Sequence, residues 1–164
     1  MADTSDIPAA GRALPAIVVS ACLLGVACDH KGGARTDERV VALGRTHHLV
    51  PVCPETVGGL PTPRLAAERQ PDGRVVRGDG VDVTSAYRRG AAHAVEVARA
   101  AGAARAVLKA RSPSCGCHQV YDGTFTRTLV DGEGVTAAAL RDAGIDVCSE
   151  ADLASAGPDS SRTH

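Results

Sequence analysis

The sequence predicts a single three-layer α/β domain on a parallel, Rossmann-like sheet of about four to five strands, with a small hairpin insertion. Three observations carry this expectation. Short runs rich in Val, Ile, Leu and Ala, at Leu14–Ser20, Leu49–Cys53, Arg105–Lys109 and Ile145–Val147, have the composition of buried strands. Helical patterns lie between these runs, and strands joined by helical crossovers are parallel neighbours. Neither a repeat nor a linker divides the 164 residues, a length that one core serves. The domain is expected over residues 14–153, with disordered tails at 1–13 and 154–164, where small and polar residues dominate.

The first run breaks at Ala21-Cys22-Leu23-Leu24-Gly25 and gives way to a polar loop, Cys28-Asp29-His30-Lys31-Gly32-Gly33. Thr36 is placed to cap a helix whose first turn carries Asp37 and Glu38, charges that suit a helix N-terminus. Val40, Val41 and Leu43 give that helix an apolar face, and His47-His48 close it. The second run ends at Pro54-Glu55. Gly58-Gly59-Leu60-Pro61-Thr62-Pro63-Arg64 follows as a rigid irregular loop, with two glycines and two prolines in seven residues. Asp72-Gly73 and Gly78-Asp79-Gly80 flank Arg74–Arg77, which reads with Val81–Val83 as the hairpin. Thr84 is expected to cap a long Ala-rich helix over 85–101, closed by Gly102. Beyond the third run lie turn-rich segments at 121–125 and 131–134. A short helix at Val135–Ala143, closed by Gly144, leads to the fourth run.

Hydrophobic residues make up 44% of the chain and aromatics 2%, so the core has to be assembled from Ala, Val, Leu and Ile. A net charge of −1 supplies no basic field for a nucleic-acid backbone, and the aromatic shortage removes stacking platforms for single strands. Both favour a small-molecule partner, such as a single base in a pocket, over intact nucleic acid. No apolar run approaches the roughly 20 residues that span a bilayer. Met1–Asp6 is acidic and polar, unlike a signal peptide, so the cytoplasm is the expected compartment. Six cysteines in a reducing compartment bind metal or do chemistry more often than they form disulfides.

Cys22, Cys53 and Cys115 each follow a predicted strand. In a parallel sheet those ends share one edge, the edge at which open α/β sheets bind ligands. Three converging thiols suit a metal centre. A structural zinc calls for a fourth ligand, whereas a four-iron cluster held by three cysteines keeps one iron open. Cys28, Cys117 and Cys148 are candidates for a fourth ligand, with Cys117, next but one to Cys115, expected to point away. Each thiol taken alone also reads as a core residue, and no Cys-x-x-Cys spacing is present.

Polar residues accompany the thiols. Glu55, on the loop after Cys53, is a candidate general base for water or a surface charge. Ser112 and Ser114 either shape the turn at Pro113 or hydrogen-bond a substrate. Lys109 and Arg111 are placed to balance an anionic cluster or to bind a substrate oxygen. Asp29, His30, Arg64 and Glu68 lie in loops that reach the same edge, with loop-fixing as the plainer reading. The histidines lack the His-x-x-x-His spacing of a zinc site.

Ser20-Ala21-Cys22-Leu23-Leu24-Gly25, Pro51-Val52-Cys53-Pro54-Glu55, Gly58–Arg64, Gly80–Thr84, Leu108–Gly116 and Tyr121–Phe125 together resemble the DUF523 proteins, in order, from about residue 16 to 150. That family includes the thiouracil desulfurases, iron–sulfur enzymes that take sulfur from thiolated uracil and release uracil and sulfide. The resemblance implies a [4Fe-4S] cluster on Cys22, Cys53 and Cys115 with one open iron, and an acid/base pair at Glu55 and Ser112. Ser114, Lys109 and Asp29 are then the expected substrate contacts. The implied substrate is 2- or 4-thiouracil or a nucleoside, cleaved with water and without net redox change. Cys28-Asp29-His30-Lys31-Gly32 departs from the family's Arg-Tyr-Asp-Gly-like run, so the family's substrate preference does not carry over if that loop touches the base. Two other readings compete. A non-catalytic iron–sulfur or zinc-binding protein requires a fourth protein ligand, and a metal-free thiol redox enzyme would use Cys115 and Cys117.

Overall fold

In the structure, a computed structural model that describes residues 14–153, the run Ala16–Ser20 becomes β1 and lies inside a four-stranded parallel sheet. The expected tails at 1–13 and 154–164 lie outside the described residues. β2 is His48–Val52, β3 Ala67–Arg69, β4 Val75–Arg77, β5 Arg105–Leu108, β6 Gln119–Tyr121, β7 Leu129–Asp131 and β8 Asp146–Ser149. The helices are α1 Glu38–Ala42, α2 Pro54–Val57, α3 Thr84–Ala101 and α4 Val135–Asp142. The sheet runs β2-β1-β5-β8, with Val18 opposite both Val50 and Ala106, and Val107 opposite Cys148.

β1 is covered on both faces, so Ile17 to Ser20 are all buried and the strand reads as a continuous apolar run instead of an alternating one. Pro51, which has no N–H to give a ladder, falls in β2 at the sheet edge. One face packs Val18, Ala106, Leu108 and Val147 against Ala94 and Ala98 of α3 and Ala137 and Leu140 of α4. The other packs Ile17, Val19 and Val107 against Leu23 and Val40. The expected three layers are therefore present, and the small side chains of α3 let the helix lie close. At Gly90 the approach is closest. A Cβ there would stand 1.8 Å from the Pro54 carbonyl oxygen, so the backbones of α3 and α2 touch. No described helix is long and apolar enough to cross a membrane.

Four local expectations are corrected. Asp37, not Thr36, caps α1: its carboxylate accepts the Arg39 amide at 2.9 Å and is gripped by the Arg39 side chain. The helix is also shorter than expected, and His48 opens β2 instead of closing α1. Asp82 does the work assigned to Thr84, accepting the Thr84 amide at 2.9 Å, while the Thr84 hydroxyl accepts the Val75 amide at 2.9 Å and ties α3 to β4. The hairpin is one turn earlier than expected. β3 pairs with β4 across the turn at Gly73, and Asp82 makes only a single bridge to Val76. Ala67-Glu68-Arg69 lacks the β-branched signature of a strand, which is why its pairing was hidden. A second hairpin, β6 with β7, frames the segment read only as turn-rich.

Candidate metal and substrate site

From β1 the chain winds one way to β2, then returns past β1 to β5. The winding reverses between β1 and β5, and the C-terminal end of that boundary is where a crevice opens. Ser20 closes β1 and its Oγ accepts the Lys109 amide at 2.9 Å, stitching the two strand ends together. A 3-10 turn, Ala21–Leu24, follows and carries Cys22; Gly25, at φ 98°, ends it. Cys53 leaves β2 in extended conformation and caps α2, which puts Glu55 in the first turn of that helix. Cys115 arrives differently from the expectation of a strand end. β5 stops at Leu108, and a loop delivers the cysteine. Ser112 Oγ builds that loop by accepting the amides of Ser114 at 3.1 Å and Cys115 at 3.0 Å.

These elements bring Cys22, Cys53 and Cys115 to one cavity of about 570 Å³, with Glu55, Ser112, Lys109 and Asp29 also in its wall. Cys28 lines it as well. Its carbonyl accepts the Cys53 thiol at 3.8 Å and Arg64 Nη2 at 2.8 Å. Cys117 and Cys148 do not line it. Burial pushes the Cys22 thiol up to about 11, with Cys53 adding to the shift. Burial likewise pushes Cys115 up to about 12 against a hydrogen bond from Ser20, and Cys28 up to about 12 with Cys53 again contributing.

The donor set can be tested against a metal. Buried thiols of this kind become thiolates only beside positive charge. The Cys22, Cys53 and Cys115 thiols open into one cavity of about 570 Å³, space for a body larger than a single ion. Thiols spread around a cavity fit a body with several irons better than a single zinc.

Glu55 is held on both oxygens. Tyr87 donates its phenolic hydroxyl to Oε1, and Arg64 Nη2 lies 3.2 Å from Oε2. Burial, with Glu55 alongside, drives the Tyr87 hydroxyl far above its ordinary range, so it stays a donor. Asp29 Oδ1 accepts the Gly33 amide at 2.7 Å and the Lys31 amide at 2.9 Å, and Oδ2 pairs with Arg35 at 3.2 Å. The Gly33 amide, foremost among these, holds its carboxyl below the usual range. Lys109 Nζ lies 3.3 Å from Glu150, which also accepts the Ala110 amide at 2.8 Å. Ser114 is not brought to the cavity: it is fully buried and bonded to Thr136 at 2.8 Å. Glu68 fixes a loop, accepting the amides of Gly123 at 3.0 Å and Phe125 at 3.1 Å.

Two residues are absent from the reading of the sequence: Tyr87, which falls within the long Ala-rich helix, and Glu150. One signal was available for the first. The chain has only two Tyr and one Phe, and the structure gathers them all here: Tyr121 and Phe125 line the cavity and Tyr87 bonds Glu55. A second feature had no sequence signal. Among described residues the non-glycine positions with positive φ are Arg111 at 67°, Phe125 at 59° and Arg127 at 62°, and all three line this cavity. Backbone held in that sparsely populated region persists where the surroundings over-determine it, as at binding sites.

Comparison with known proteins gives the family of the chain. The family model for 2-thiouracil desulfurase matches residues 17–152. A Bacillus subtilis protein, "Uncharacterized protein YbbK", is 38% identical over 146 residues, covering 84% of this chain and 97% of its own. A solved structure named as a [4Fe-4S]-dependent thiouracil desulfidase, TudS (DUF523Vcz), is similar with a TM-score of 0.79 and 44% identity, covering 85% of this chain and 93% of its own. The motifs that resembled DUF523 thus lie in one matching stretch that spans the whole crevice, and the chain belongs to the 2-thiouracil desulfurase family.

Proposed function

We propose that this protein removes sulfur from a thiolated uracil, as base or nucleoside, giving uracil and sulfide, with a [4Fe-4S] cluster held by Cys22, Cys53 and Cys115. The observation that carries this reading is the cavity in which Cys22, Cys53 and Cys115 meet Glu55, a carboxylate held on both oxygens, and the planar side chains of Tyr121 and Phe125. The relative named as a [4Fe-4S]-dependent thiouracil desulfidase supports the cofactor. Held by three thiolates, the cluster supplies a Lewis-acidic iron that polarises a soft C=S sulfur.

The remaining work falls to the chain. Glu55 takes a proton from the water that adds to the thiolated carbon. Tyr87 and Arg64 fix the aim of its carboxylate, so no rearrangement is needed as the water approaches. Ser112 is suited to proton donation by elimination. Its oxygen already accepts two amides, and a hydroxyl has one proton left to give. Tyr121 and Phe125 offer flat apolar contact to the ring. Oxygen from water replaces sulfur at the same oxidation state of carbon, and the sulfur leaves as sulfide. No electron donor enters the balance.

The test is anaerobic purification, reconstitution with iron and sulfide, and measurement of uracil and sulfide released from 2-thiouracil, 4-thiouracil and their nucleosides. Equal release of uracil and sulfide without a reductant is expected from at least one of them. A cluster-loaded protein that releases sulfide from none, or only with an electron donor, contradicts the reading.

A further inference from the structure

We propose that Cys117, His118 and Asp152 form a second metal site, outside the cavity, that takes a zinc ion. The thiol, imidazole and carboxylate ligand atoms all lie within 4.8 Å of one another, the one such His, Cys, Asp and Glu group among the described residues. None of the three lines the cavity, and the proposed reaction uses none of them.

The donor set selects the metal. Calcium and magnesium take oxygen ligands, so a thiol and an imidazole exclude them. One sulfur, one nitrogen and one oxygen suit zinc, which accepts three protein ligands with water in its fourth position. The thiol proton passes to solvent on coordination, and nothing is oxidised or reduced.

The three groups are held in place before any metal arrives. Cys117 is 2% exposed and follows Gly116, whose amide donates to Ser112 at 2.8 Å and whose carbonyl accepts Gly134 at 2.6 Å. Asp152 is fixed by a capping box with Ser149, whose amide reaches Oδ2 at 2.8 Å. His118 Nε2 meets the same Oδ2 at 2.6 Å, and the Cys117 thiol approaches it at 4.0 Å. Among the described residues, all the hydrogen bonds to the Asp152 carboxylate fall on Oδ2. A surface His–Asp pair accounts for two of the three groups but not for a buried thiol turned to the same carboxylate. His118 and Asp152 side chains are 56% and 37% exposed, so an ion reaches them from solvent.

The site also has a structural consequence. Asp152 shares its 3-10 turn with Glu150, the carboxylate that anchors Lys109 and the Ala110 amide in the cavity wall. A zinc ion here staples that turn to the loop that carries Cys115. With three protein ligands the ion keeps an open fourth position, and it is separate from the iron chemistry.

The test uses the cluster-loaded protein, purified without oxygen, titrated with Zn²⁺ by calorimetry, with zinc and iron assayed after desalting. The wild type is expected to keep about one zinc per chain at unchanged iron content and to melt higher with zinc. Cys117→Ser and His118→Ala are each expected to weaken zinc binding by about tenfold or more and to abolish the zinc-dependent rise in melting temperature. Cys28→Ala is expected to bind zinc like the wild type. His118 is exposed, so that variant alone decides the matter where Cys117→Ser does not fold. The proposal is overturned if the wild type retains no zinc, or if His118→Ala binds it as tightly as the wild type.

Discussion

Arg64 Nη2 stands 3.2 Å from Glu55 Oε2 and 2.8 Å from the Cys28 carbonyl, so one buried guanidinium joins the proposed base to the cysteine loop. Its side chain is 5% exposed, and removing it leaves the Glu55 carboxylate without its cation. Breaking a buried pair from one side costs about 3–5 kcal/mol, discounted toward the lower end because the Glu55 side chain is 18% exposed. Arg64→Met is therefore expected to destabilise the fold by about 3 kcal/mol in urea unfolding, and a loss under about 1 kcal/mol would count against the pairing.

Glu55 and Tyr87 separate chemistry from positioning. Glu55→Gln is expected to lower kcat by about 10²–10⁴ with iron content unchanged, the range for a lost general base. Tyr87→Phe removes the donor to Oε1 and is expected to lower kcat by a smaller factor while costing about 1–3 kcal/mol of stability. Steady-state rates at matched iron occupancy compare the two. Tyr87→Phe losing as much rate as Glu55→Gln would move the phenol from positioning into the chemistry.

Gly90 holds α3 against α2, with its virtual Cβ at 1.8 Å from Pro54 O. Gly90→Ala forces that carbonyl, and Glu55 beside it, away from α3. The expected cost is about 3 kcal/mol or more, at the upper end of overpacking, although alanine is the better helix former. His93→Ala, at an exposed position on the same helix, is the control and is expected to be near neutral. Denaturant midpoints distinguish them.

Asp29 gives a pH dependence. Its carboxyl is held below the usual range, mainly by the Gly33 amide, so it contributes stability above the unfolded value of about 4. That contribution is lost as pH falls through the lower folded value. Asp29→Ala is accordingly expected to melt below wild type at pH 7, with the gap closing below about pH 4. Unfolding of the metal-free chain between those limits measures it, and a gap that persists at the acid end would contradict the assignment.

The sheet and the convergence of Cys22 and Cys53 were readable because buried parallel strands are continuous apolar runs, and parallel strand ends share an edge. Cys115 was placed on the right edge for an incomplete reason, since a Ser112-capped loop delivers it and not a strand end. Ser112 and Ser114 are alike in sequence and divide only in space, one in the cavity wall and the other bonded to Thr136. The β3 strand and the Asp37 and Asp82 caps were hidden because tertiary partners, not local propensity, decide them. Tyr87 was hidden because an aromatic on a helix reads as core, and only its 32-residue reach to Glu55 shows otherwise.

The central claim is that Cys22, Cys53 and Cys115 hold the cluster on which desulfuration depends. Iron and acid-labile sulfide analysis of anaerobically purified Cys115→Ala, beside Cys28→Ala, tests it most directly. Cys115→Ala is expected to lose the cluster and its visible absorbance, while Cys28→Ala keeps both. A Cys115→Ala protein that retained a full complement of iron and sulfide would contradict the claim.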